Sequence, residues 1–293
     1  METAKSSYHN DIIEYYETTE HSYYDAWHLA DVQALHFGYR DAKAKTFKQS
    51  LSRMNEVMME LAPVKKGDHI LDDGCGVGGS SIFLALQQNC TATGINITSK
   101  QIAKAQAFAA QKGVADKVNF VVMSYDKTTF ADNTFDVVWA CESICHAEDK
   151  AKVIREAFRV LKPGGRLIVA DGFVADFKNN EHPHIKKWLH GWKVNYLESQ
   201  QRFVQFMEDA GFKNVEFHNA TANVRKSSLR LFLLSIAAYS FGVYKSILKK
   251  NKWSDVQNAN IAACWHQYLG MRKGLWKYGI VRGEKGKAMS NEQ

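Results

Sequence analysis

A glycine-rich turn between an apolar run and a helical pattern constrains the fold of this chain more than any other feature. Residues 69–81 read HILDDGCGVGGSS, and four of the six positions from 74 to 79 are glycine. Glycine adopts turn dihedrals that other residues avoid, and it lets the backbone approach a ligand closely. The Gly-x-Gly-x-Gly spacing predicts a strand, a tight turn and a helix whose N-terminus holds a nucleotide-type ligand. The alternative is an ordinary turn between a strand and a helix.

Two features of this turn argue against a phosphate ligand. No Lys-Ser or Lys-Thr pair follows the glycines, so the turn is not a P-loop. Asp72 and Asp73 open the turn, and their carboxylates would repel a pyrophosphate. They suit a ligand with a cationic end, such as the ammonium and sulfonium groups of S-adenosylmethionine.

The motif from Leu71 to Gly79, Leu-Asp-x-Gly-Cys-Gly-x-Gly-Gly, resembles the first motif of class I S-adenosylmethionine-dependent methyltransferases. Asp73 stands where that family usually has an apolar residue. The resemblance implies that S-adenosyl-L-methionine is the cofactor. It implies cofactor contacts from Asp72, Gly74, Cys75 and Gly76.

The ends of the next two predicted strands supply further cofactor contacts. The second strand ends at Asn96, where many class I methyltransferases have an acidic ribose ligand, and an amide also hydrogen-bonds a hydroxyl. The pattern Ile-x-Ile-Thr-x-x-Gln over 95–101 resembles tocopherol and cyclopropane fatty acid enzymes, and it adds Ile97 and Gln101. After the third strand, the family register assigns Ser124 and Tyr125 to the adenine, with Asp126 one position late.

The fourth predicted strand ends in Cys141, followed by Glu142 and His146. Ligands of open α/β sheets bind outside the carboxyl ends of strands, so these side chains fall at the rim of the site. A carboxylate and an imidazole four residues apart can stabilise a cation and accept a proton; alternatively they are surface or capping groups. The pattern Glu-x-x-Cys-His-Ala-x-Asp over 142–149 resembles sterol C-methyltransferases, and the resemblance places Cys141 beside the cofactor.

The N-terminal segment 8–40 is rich in aromatic residues and has near-helical spacing, which predicts two short helices. Most of these rings are expected to pack on the core; the alternative is a lid over the cofactor that presents aromatic faces to a cation. Tyr-Tyr-x(6)-Tyr-Tyr-Asp-x-Trp followed by Leu-His-Phe-Gly resembles the start of sterol C-methyltransferases and tocopherol O-methyltransferases. This resemblance adds Tyr24 to the catalytic residues.

Apolar runs and helical patterns alternate after Pro63, which predicts an α/β fold with a Rossmann-like, seven-stranded, mostly parallel sheet and helices on both faces. The strands are expected near 69–72, 91–96, 118–123, 135–140, 166–172, 214–218 and 277–282. The helices are expected near 43–62, 80–88, 99–112, 149–161 and 199–211. We divide the chain into an N-terminal helical lid (1–62), a cofactor-binding core (63–173) and the remaining strands with substrate-cap insertions (174–293).

Two segments interrupt the alternation. Residues 173–198 carry three histidines in the spacing His-x-His-x5-His, which is poor for zinc, so we predict a substrate-cavity wall and no metal. Residues 227–250 predict an apolar helix pair followed by lysines. This pair is either a core or cap helix or a hydrophobic entrance that touches a membrane surface.

Composition limits the location and the partners. The net charge is +7 and the cations are spread out, but no nucleic-acid-binding signature accompanies them. The chain also lacks the Asn-Pro-Pro-Tyr type sequence of nucleobase methyltransferases at the fourth strand, so we predict no nucleic-acid partner. The five cysteines form no Cys-x-x-Cys pair, which favours reduced thiols and a cytoplasmic location. The oligomeric state is not defined by the sequence.

The resemblance implies methyl transfer to a carbon or an oxygen of a small lipophilic acceptor, such as a sterol, a terpenoid or a prenylated ring. Three alternatives stay open. The first is a cyclopropane-forming or other lipid-modifying enzyme, for which Cys141 or Cys145 with His146 would hold bicarbonate. The second is an N-methyltransferase of a small natural product. The third is a cofactor-binding module without activity.

Overall fold

A computed structural model describes residues 7–27, 29–247 and 253–287, without the side chains of 20–27, 30 and 243–247. Seven strands form one sheet in the order β3-β2-β1-β4-β5-β7-β6. The strands are β1 (His69–Asp73), β2 (Thr91–Asn96), β3 (Val118–Val122), β4 (Phe135–Cys141), β5 (Leu161–Val174), β6 (Phe212–Asn219) and β7 (Trp276–Lys285). Strand β7 runs antiparallel to both of its neighbours, and the pairings among β1 to β5 are parallel. The predicted Rossmann-like, mostly parallel sheet is confirmed.

Helices cover both faces of this sheet. They are α1 (Ser7–Trp27), α2 (Leu29–Val32), α3 (Phe47–Leu61), α4 (Gly79–Gln88), α5 (Ser99–Gln111), α6 (Lys150–Val160), α7 (Pro183–Gly191), α8 (Gln200–Asp209), α9 (Thr221–Ile247) and α10 (Asp255–Arg272). Within the part of the chain that the structure describes, no helix is long and apolar enough to cross a membrane.

The central strands are buried on both faces, as parallel sheets covered by helices require. Val137, Val138 and Trp139 of β4 are fully buried, and they belong alternately to the two apolar clusters on either side of the sheet. The rigid centre fixes the carboxyl ends of β1, β2 and β4 next to one another. The site described below lies at this edge.

The glycine turn after β1 has the geometry that its sequence predicts. The backbone N–H groups of Gly74 and Cys75 both donate to the carbonyl oxygen of Ile95 at 3.0 Å, which ties the turn to β2. Gly74 has a φ of +77°, and a Cβ added there would lie 2.4 Å from the Cβ of Ser143. At Gly79 an added Cβ would lie 2.2 Å from the carbonyl oxygen of Gln33, so the N-terminal segment passes directly over the start of α4.

The helical additions differ from the prediction. The aromatic N-terminal segment forms the single 21-residue helix α1 and the four-residue α2, instead of two short helices. Residues 227–250 were predicted as a helix pair, but they lie largely within the one helix α9, which has no internal proline. Helix α9 pairs with α10, where the Ser228 hydroxyl donates to the Oε1 atom of Gln267 at 2.6 Å. The periodicity of the sequence does not predict such hydrogen bonds between the side chains of helices that are distant in the chain.

Candidate active site

Two adjoining cavities lie at the carboxyl edge of the sheet. The outer one, here called the cleft, has a volume of about 900 Å³. The inner one, here called the inner cavity, has a volume of about 70 Å³. Four residues line both cavities: Tyr16, Leu35, Glu142 and His146. The boundary between the cavities is therefore made by the predicted catalytic pair and two residues of the N-terminal segment.

The cleft gathers the site residues that the sequence indicates. Its lining includes both members of the predicted catalytic pair, Glu142 and His146, together with the predicted cofactor-binding residues Asp72, Gly74, Cys75, Gly76, Asn96, Ile97, Gln101, Ser124, Tyr125 and Cys141. The side chain of Tyr24 lies outside the described residues. Among the N-terminal tyrosines whose side chains the structure describes, Tyr16 is the one whose hydroxyl bonds His146 at the boundary of the two cavities.

The two carboxyl groups that open the glycine turn have different surroundings. Asp72 lines the cleft, and its Oδ2 atom accepts a hydrogen bond from the Ser81 hydroxyl at 2.6 Å. Burial raises the pKa of Asp72 to about 6, which leaves the group mostly ionised at neutral pH. Asp73 does not line the cleft, and its Oδ1 atom has no hydrogen-bond partner among the described residues. Burial, with a smaller contribution from the neighbouring Asp72 carboxylate, holds the pKa of Asp73 far above its ordinary value.

The expectation that both carboxylates serve a cationic ligand is therefore wrong for Asp73. Successive side chains of a strand point to opposite faces, so only one residue of an adjacent pair can face the ligand. Asp73 stands at the position where the methyltransferase motif usually has an apolar residue. Apolar surroundings tolerate the protonated form of a carboxyl group better than its ionised form.

The far end of the cleft is lined by amide and hydroxyl groups. The Nδ2 of Asn96 donates to the Oε1 of Gln101 at 2.7 Å, and the Thr98 backbone N–H donates to the Oδ1 of Asn96 at 3.1 Å. These contacts fix the amide of Asn96 and leave the Nε2 of Gln101 as a donor beside it. The pair is suited to hydroxyl groups such as those of a ribose.

A hydrogen-bonded acidic group follows the end of β3. The Ser124 hydroxyl donates to the Oδ1 of Asp126, and Lys152 donates to its Oδ2 at 3.1 Å. Burial acts to raise the pKa of Asp126, but these hydrogen bonds outweigh it and hold the pKa below its ordinary value. Asp126 is therefore an ionised acceptor that lines the cleft one residue after Tyr125, whose hydroxyl donates to the Ser143 carbonyl at 2.9 Å.

Glu142 connects three distant parts of the chain at the boundary of the cavities. Its Oε1 atom accepts the Phe37 backbone N–H at 2.7 Å and the Tyr278 hydroxyl at 2.7 Å. Its φ of +53° lies in the left-handed region, which costs a non-glycine residue about 1–3 kcal/mol. Burial raises the pKa of Glu142 to about 8, so the unliganded group is mostly protonated at neutral pH. A cation bound beside Glu142 would favour its ionised form.

The hydrogen bonds of His146 define its tautomer. Nδ1 lies 3.1 Å from the carbonyl oxygen of Lys193, and because a carbonyl only accepts, Nδ1 carries the hydrogen. Burial lowers the pKa of His146 to about 4, so the ring is neutral and Nε2 is an acceptor. Nε2 lies 3.2 Å from the hydroxyl of Tyr16, which donates to it. The Nε2 atom of His146 is therefore a base that already accepts a hydrogen bond from the Tyr16 hydroxyl.

Aromatic side chains build the wall of the inner cavity: Phe37, Trp188, Trp192, Trp276 and Tyr278. The rings of Trp188 and Trp276 lie 4.4 Å apart, and Phe37 packs at about 6 Å from Trp192 and Tyr278. Segment 173–198, predicted as a cavity wall, supplies two of the tryptophans. Sequence reasoning missed Trp276 and Tyr278. Tyr278 lies in the strand predicted over 277–282 and Trp276 directly precedes it, and neither belongs to a motif.

Asp171 adds a second carboxyl group to the inner cavity that the sequence did not indicate. Its oxygens accept the backbone N–H groups of Cys145 and Gly172, each at 2.8 Å. Burial raises its pKa to about 6. The inner cavity therefore combines aromatic faces with two carboxyl groups, a composition that attracts cations and repels anions.

A family described as a methyltransferase domain matches residues 71–169. This range contains the glycine turn and the Glu142–His146 pair. The chain is 35% identical over 179 residues to the sterol 24-C-methyltransferase of Saccharomyces cerevisiae, an alignment that covers 60% of this chain and 46% of that protein. The predicted resemblance to class I S-adenosylmethionine-dependent methyltransferases, and to their sterol C-methyltransferase group, is confirmed.

Solved structures with the same fold extend the comparison beyond the methyltransferase domain. The [4+2]-cyclase SpnF has a TM-score of 0.80 at 20% identity, over 96% of this chain and 97% of that one. A geranyl diphosphate C-methyltransferase from Streptomyces coelicolor, solved with S-adenosyl-L-homocysteine, has a TM-score of 0.73 at 17% identity, over 97% and 99% of the two chains. At these identities the similarity shows the fold alone. The chain spans about half the length of the curated relatives it matches, 46–61%.

The geranyl diphosphate C-methyltransferase of this fold was solved with S-adenosyl-L-homocysteine, and the cofactor that the sequence predicts for this chain is S-adenosyl-L-methionine. The donor set of the cleft fits it: the carboxylate of Asp72 for the ammonium group, Asn96 with Gln101 for the ribose, and the segment 122–126 for the adenine. When bound, the cofactor supplies an electrophilic methyl group. The boundary residues Glu142 and His146 are the groups that lie between the cleft and the inner cavity.

Proposed function

We propose that this protein transfers the methyl group of S-adenosyl-L-methionine to a carbon or an oxygen of a small lipophilic acceptor. The observation that carries the proposal is the junction of a polar cleft and an aromatic inner cavity at Glu142 and His146. A methyl group delivered from the cleft reaches the inner cavity at the boundary that these two side chains form with Tyr16 and Leu35. The acceptor class is terpenoid, sterol or prenylated ring, because aromatic and aliphatic side chains make most of the wall around the few polar groups.

Glu142 and His146 each have a defined chemical role at this junction. For a carbon acceptor, the alkene forms a bond to the methyl carbon as the sulfur–methyl bond breaks, and a carbocation results. The ring faces and the Glu142 carboxylate stabilise this cation. The Nε2 atom of His146 then accepts the proton lost from the neighbouring carbon, and the hydroxyl of Tyr16 relays it if the substrate lies beyond direct reach. For an oxygen acceptor, the same Nε2 atom takes the hydroxyl proton.

The volume of the inner cavity has a consequence for binding. At about 70 Å³ it is far below the roughly 300 Å³ at which pockets for organic ligands begin. The acceptor must therefore displace part of the wall when it enters. The N-terminal segment, with Tyr16 and Phe37, is the element that we propose to move, in agreement with the lid role expected for residues 1–62.

The test is release of labelled methyl groups from S-adenosyl-L-methionine with sterols, prenyl diphosphates, prenylated phenols and unsaturated lipids as acceptors. We expect turnover with at least one of these classes, and loss of turnover in Glu142→Gln and in His146→Ala. Glu208→Gln, the same change at an exposed residue of α8, is the matched control and should keep full activity. Cofactor binding without turnover on any acceptor would contradict the proposal, and the cyclase among the structural neighbours shows that this fold also serves other chemistry.

A cyclopropane-forming reaction is the second candidate, because the inner cavity brings Cys145, Glu142, His146 and Tyr16 together. These are the residue types expected to hold bicarbonate in such enzymes. Glu142 and Asp171 weigh against an anion there. Turnover of unsaturated lipids that requires added bicarbonate would favour this candidate, and turnover without it would favour simple methyl transfer.

We further propose a cofactor-binding core over residues 63–173, substrate-cap insertions over 174–293, a cytoplasmic location and the absence of a nucleic-acid partner. N-methylation of a small natural product is tested by including amines among the acceptors.

A further inference from the structure

Helix α9 exposes an apolar surface that the cofactor site does not explain. We define the apolar patch as Leu233, Leu234, Ile236, Tyr239 and Phe241 of α9 with Trp265 of α10. Tyr239 is 68% exposed, Leu233 55% and Phe241 51%. Contiguous exposed side chains of this size mark an interaction surface, whereas scattered ones do not.

The inward face of this helix is only partly apolar. It buries Val224 and Leu231 together with Ser227, Ser228 and Ser235, whereas several large apolar side chains of the same helix are exposed. The buried hydroxyls are engaged: Ser227 accepts the Gly38 backbone N–H at 3.1 Å, and Ser235 donates to the Phe232 carbonyl at 2.7 Å. The inward face is therefore packed through both apolar and polar contacts, and the apolar patch lies outside this packed face.

The charges around the patch indicate the partner. From 217 to 254 the sequence contains no aspartate or glutamate and seven cationic residues: Arg225, Lys226, Arg230, Lys245, Lys249, Lys250 and Lys252. The uncharged stretch 231–244 lies between the two groups of cations. Two copies of this chain packed through the patch would bring like charges together. An apolar helix surface that is flanked by cations in the sequence on both sides, with Arg225 and Lys226 exposed, fits an anionic lipid surface.

We propose that the apolar patch docks this protein on an anionic lipid bilayer, with α9 lying flat in the interface. Leu233, Leu234, Ile236 and Phe241 enter the acyl region, and the flanking cations contact the headgroups. Tyr239 and Trp265 take the interfacial level that such side chains favour. The docking is a property of the surface alone, and it does not depend on methyl transfer.

The position of the patch connects the bilayer with the inner cavity. The Ser228 hydroxyl on the inward face of α9 donates to the Oε1 of Gln267, and the Gln267 backbone carbonyl accepts the indole N–H of Trp276 at 2.7 Å. Trp276 is a wall residue of the inner cavity. The helix that enters the lipid is thus two hydrogen bonds from the acceptor wall, which suits an acceptor that partitions into membranes.

The experiment is co-sedimentation of the full chain with vesicles of phosphatidylcholine alone and of phosphatidylcholine mixed with phosphatidylglycerol. We expect binding to the anionic vesicles that weakens as salt is added, because screening reduces the headgroup attraction. Leu233→Glu and Phe241→Glu should each weaken binding by about tenfold or more, the scale set by burial of one large apolar side chain. Leu86→Glu, at a 52% exposed leucine of α4, is the matched control and should bind as the unaltered chain does.

Further measurements separate the outcomes. Replacement of Lys245, Lys249, Lys250 and Lys252 by Gln leaves the patch intact and should remove the salt dependence. Calorimetric titration of S-adenosyl-L-methionine should give the same affinity in every variant, which shows that each is folded and keeps this test independent of the proposed function. No sedimentation with anionic vesicles would overturn the proposal, as would unchanged sedimentation of the Leu233 and Phe241 variants. A dimer that Leu233→Glu dissociates in light scattering would assign the patch to a second copy of the chain instead.

Discussion

The cleft and the inner cavity share four lining residues but are built in different ways. Backbone turns at the edge of the sheet form much of the cleft, which is open at about 900 Å³. Side chains from α1, the 33–37 segment, α7 and β7 form the inner cavity, and they nearly close it at about 70 Å³. From this difference we expect the cofactor to bind a preformed site, whereas the acceptor site must open before the acceptor binds. Changes in one cavity should therefore leave binding in the other almost unaltered.

The largest effect is expected at Glu142, where the two cavities meet. Glu142→Gln keeps an oxygen for the Phe37 N–H and the Tyr278 hydroxyl but removes the negative charge beside the reacting atoms. We expect kcat to fall by about 10²–10³, the scale of one lost electrostatic contact in an active site. The measurement is single-turnover methyl transfer alongside the cofactor Kd. A Kd that worsens as much as kcat would mean that Glu142 belongs to the cleft alone.

The next effect is confined to the cleft. Asp72→Ala removes the ionised carboxylate from the cofactor's cationic end and should weaken S-adenosyl-L-methionine binding by about 10- to 100-fold, the range for a hydrogen bond to a charged group. Asp73→Asn is the matched control, because Asp73 does not line the cleft and burial raises the pKa of its carboxyl group. Calorimetric titration gives both affinities. Equal losses in the two variants would show that the turn itself, and not the facing carboxylate, determines the affinity.

A third change enlarges only the inner cavity. Trp192→Ala removes an indole from the wall, and we expect bulkier acceptors to gain about tenfold in kcat/KM relative to smaller ones, with the cofactor Kd unchanged. Trp253→Ala, the same change outside both cavities, should leave the order of acceptors as it was. Ranking one acceptor series on the two variants checks this. An unaltered order in Trp192→Ala would mean that the acceptor binds elsewhere.

The smallest effect is on stability. The pKa of Glu142 is raised to about 8 in the folded protein, so between about pH 4.5 and 8 the folded state holds a proton that the unfolded state has lost. The stability due to Glu142 is therefore greatest at low pH and is lost as the pH rises through 8. Relative to Glu142→Gln, the Tm of the unaltered protein should fall by about 2–4 °C for each 1 kcal/mol lost across this range. A Tm difference that stays constant from pH 5 to 8 would contradict this assignment, and bound cofactor should flatten the slope.

The contrast between the cavities also explains how much the sequence could predict. The contacts of the cleft follow strand ends in short continuous motifs, so twelve of the thirteen predicted site residues line it. The wall of the inner cavity joins Phe37, Trp188 and Tyr278, which are far apart in the chain and meet only when β7 inserts. The resemblance in Leu-His-Phe-Gly includes Phe37 and the segment with Trp188 was predicted as a cavity wall, but nothing in the sequence marks Tyr278 or brings the three together. The family resemblance selected Asp72 over Asp73, whereas the charges alone did not, because the side that each faces depends on the register of β1.

Tyr16 and Tyr24 show the same limit on a smaller scale. Both lie in the aromatic N-terminal segment, and the family resemblance favoured Tyr24. The hydrogen bond to His146 depends on how α1 crosses the sheet, and it selects Tyr16 among the side chains that the structure describes. The sequence also did not predict which side of α9 is exposed. Apolar periodicity predicts a helix, but it does not tell which side of that helix is covered.

The strand order has a consequence for synthesis of this protein on the ribosome. Strand β7 is the last of the described strands to be translated, yet it lies between β5 and β6. Every residue assigned to the cofactor, from Asp72 to Cys141, is translated long before it. A nascent chain can therefore complete its cleft while the edge of β5 is still unpaired, a state prone to aggregation. Any ligand that bound the completed cleft at that moment would stabilise the half-made sheet by mass action.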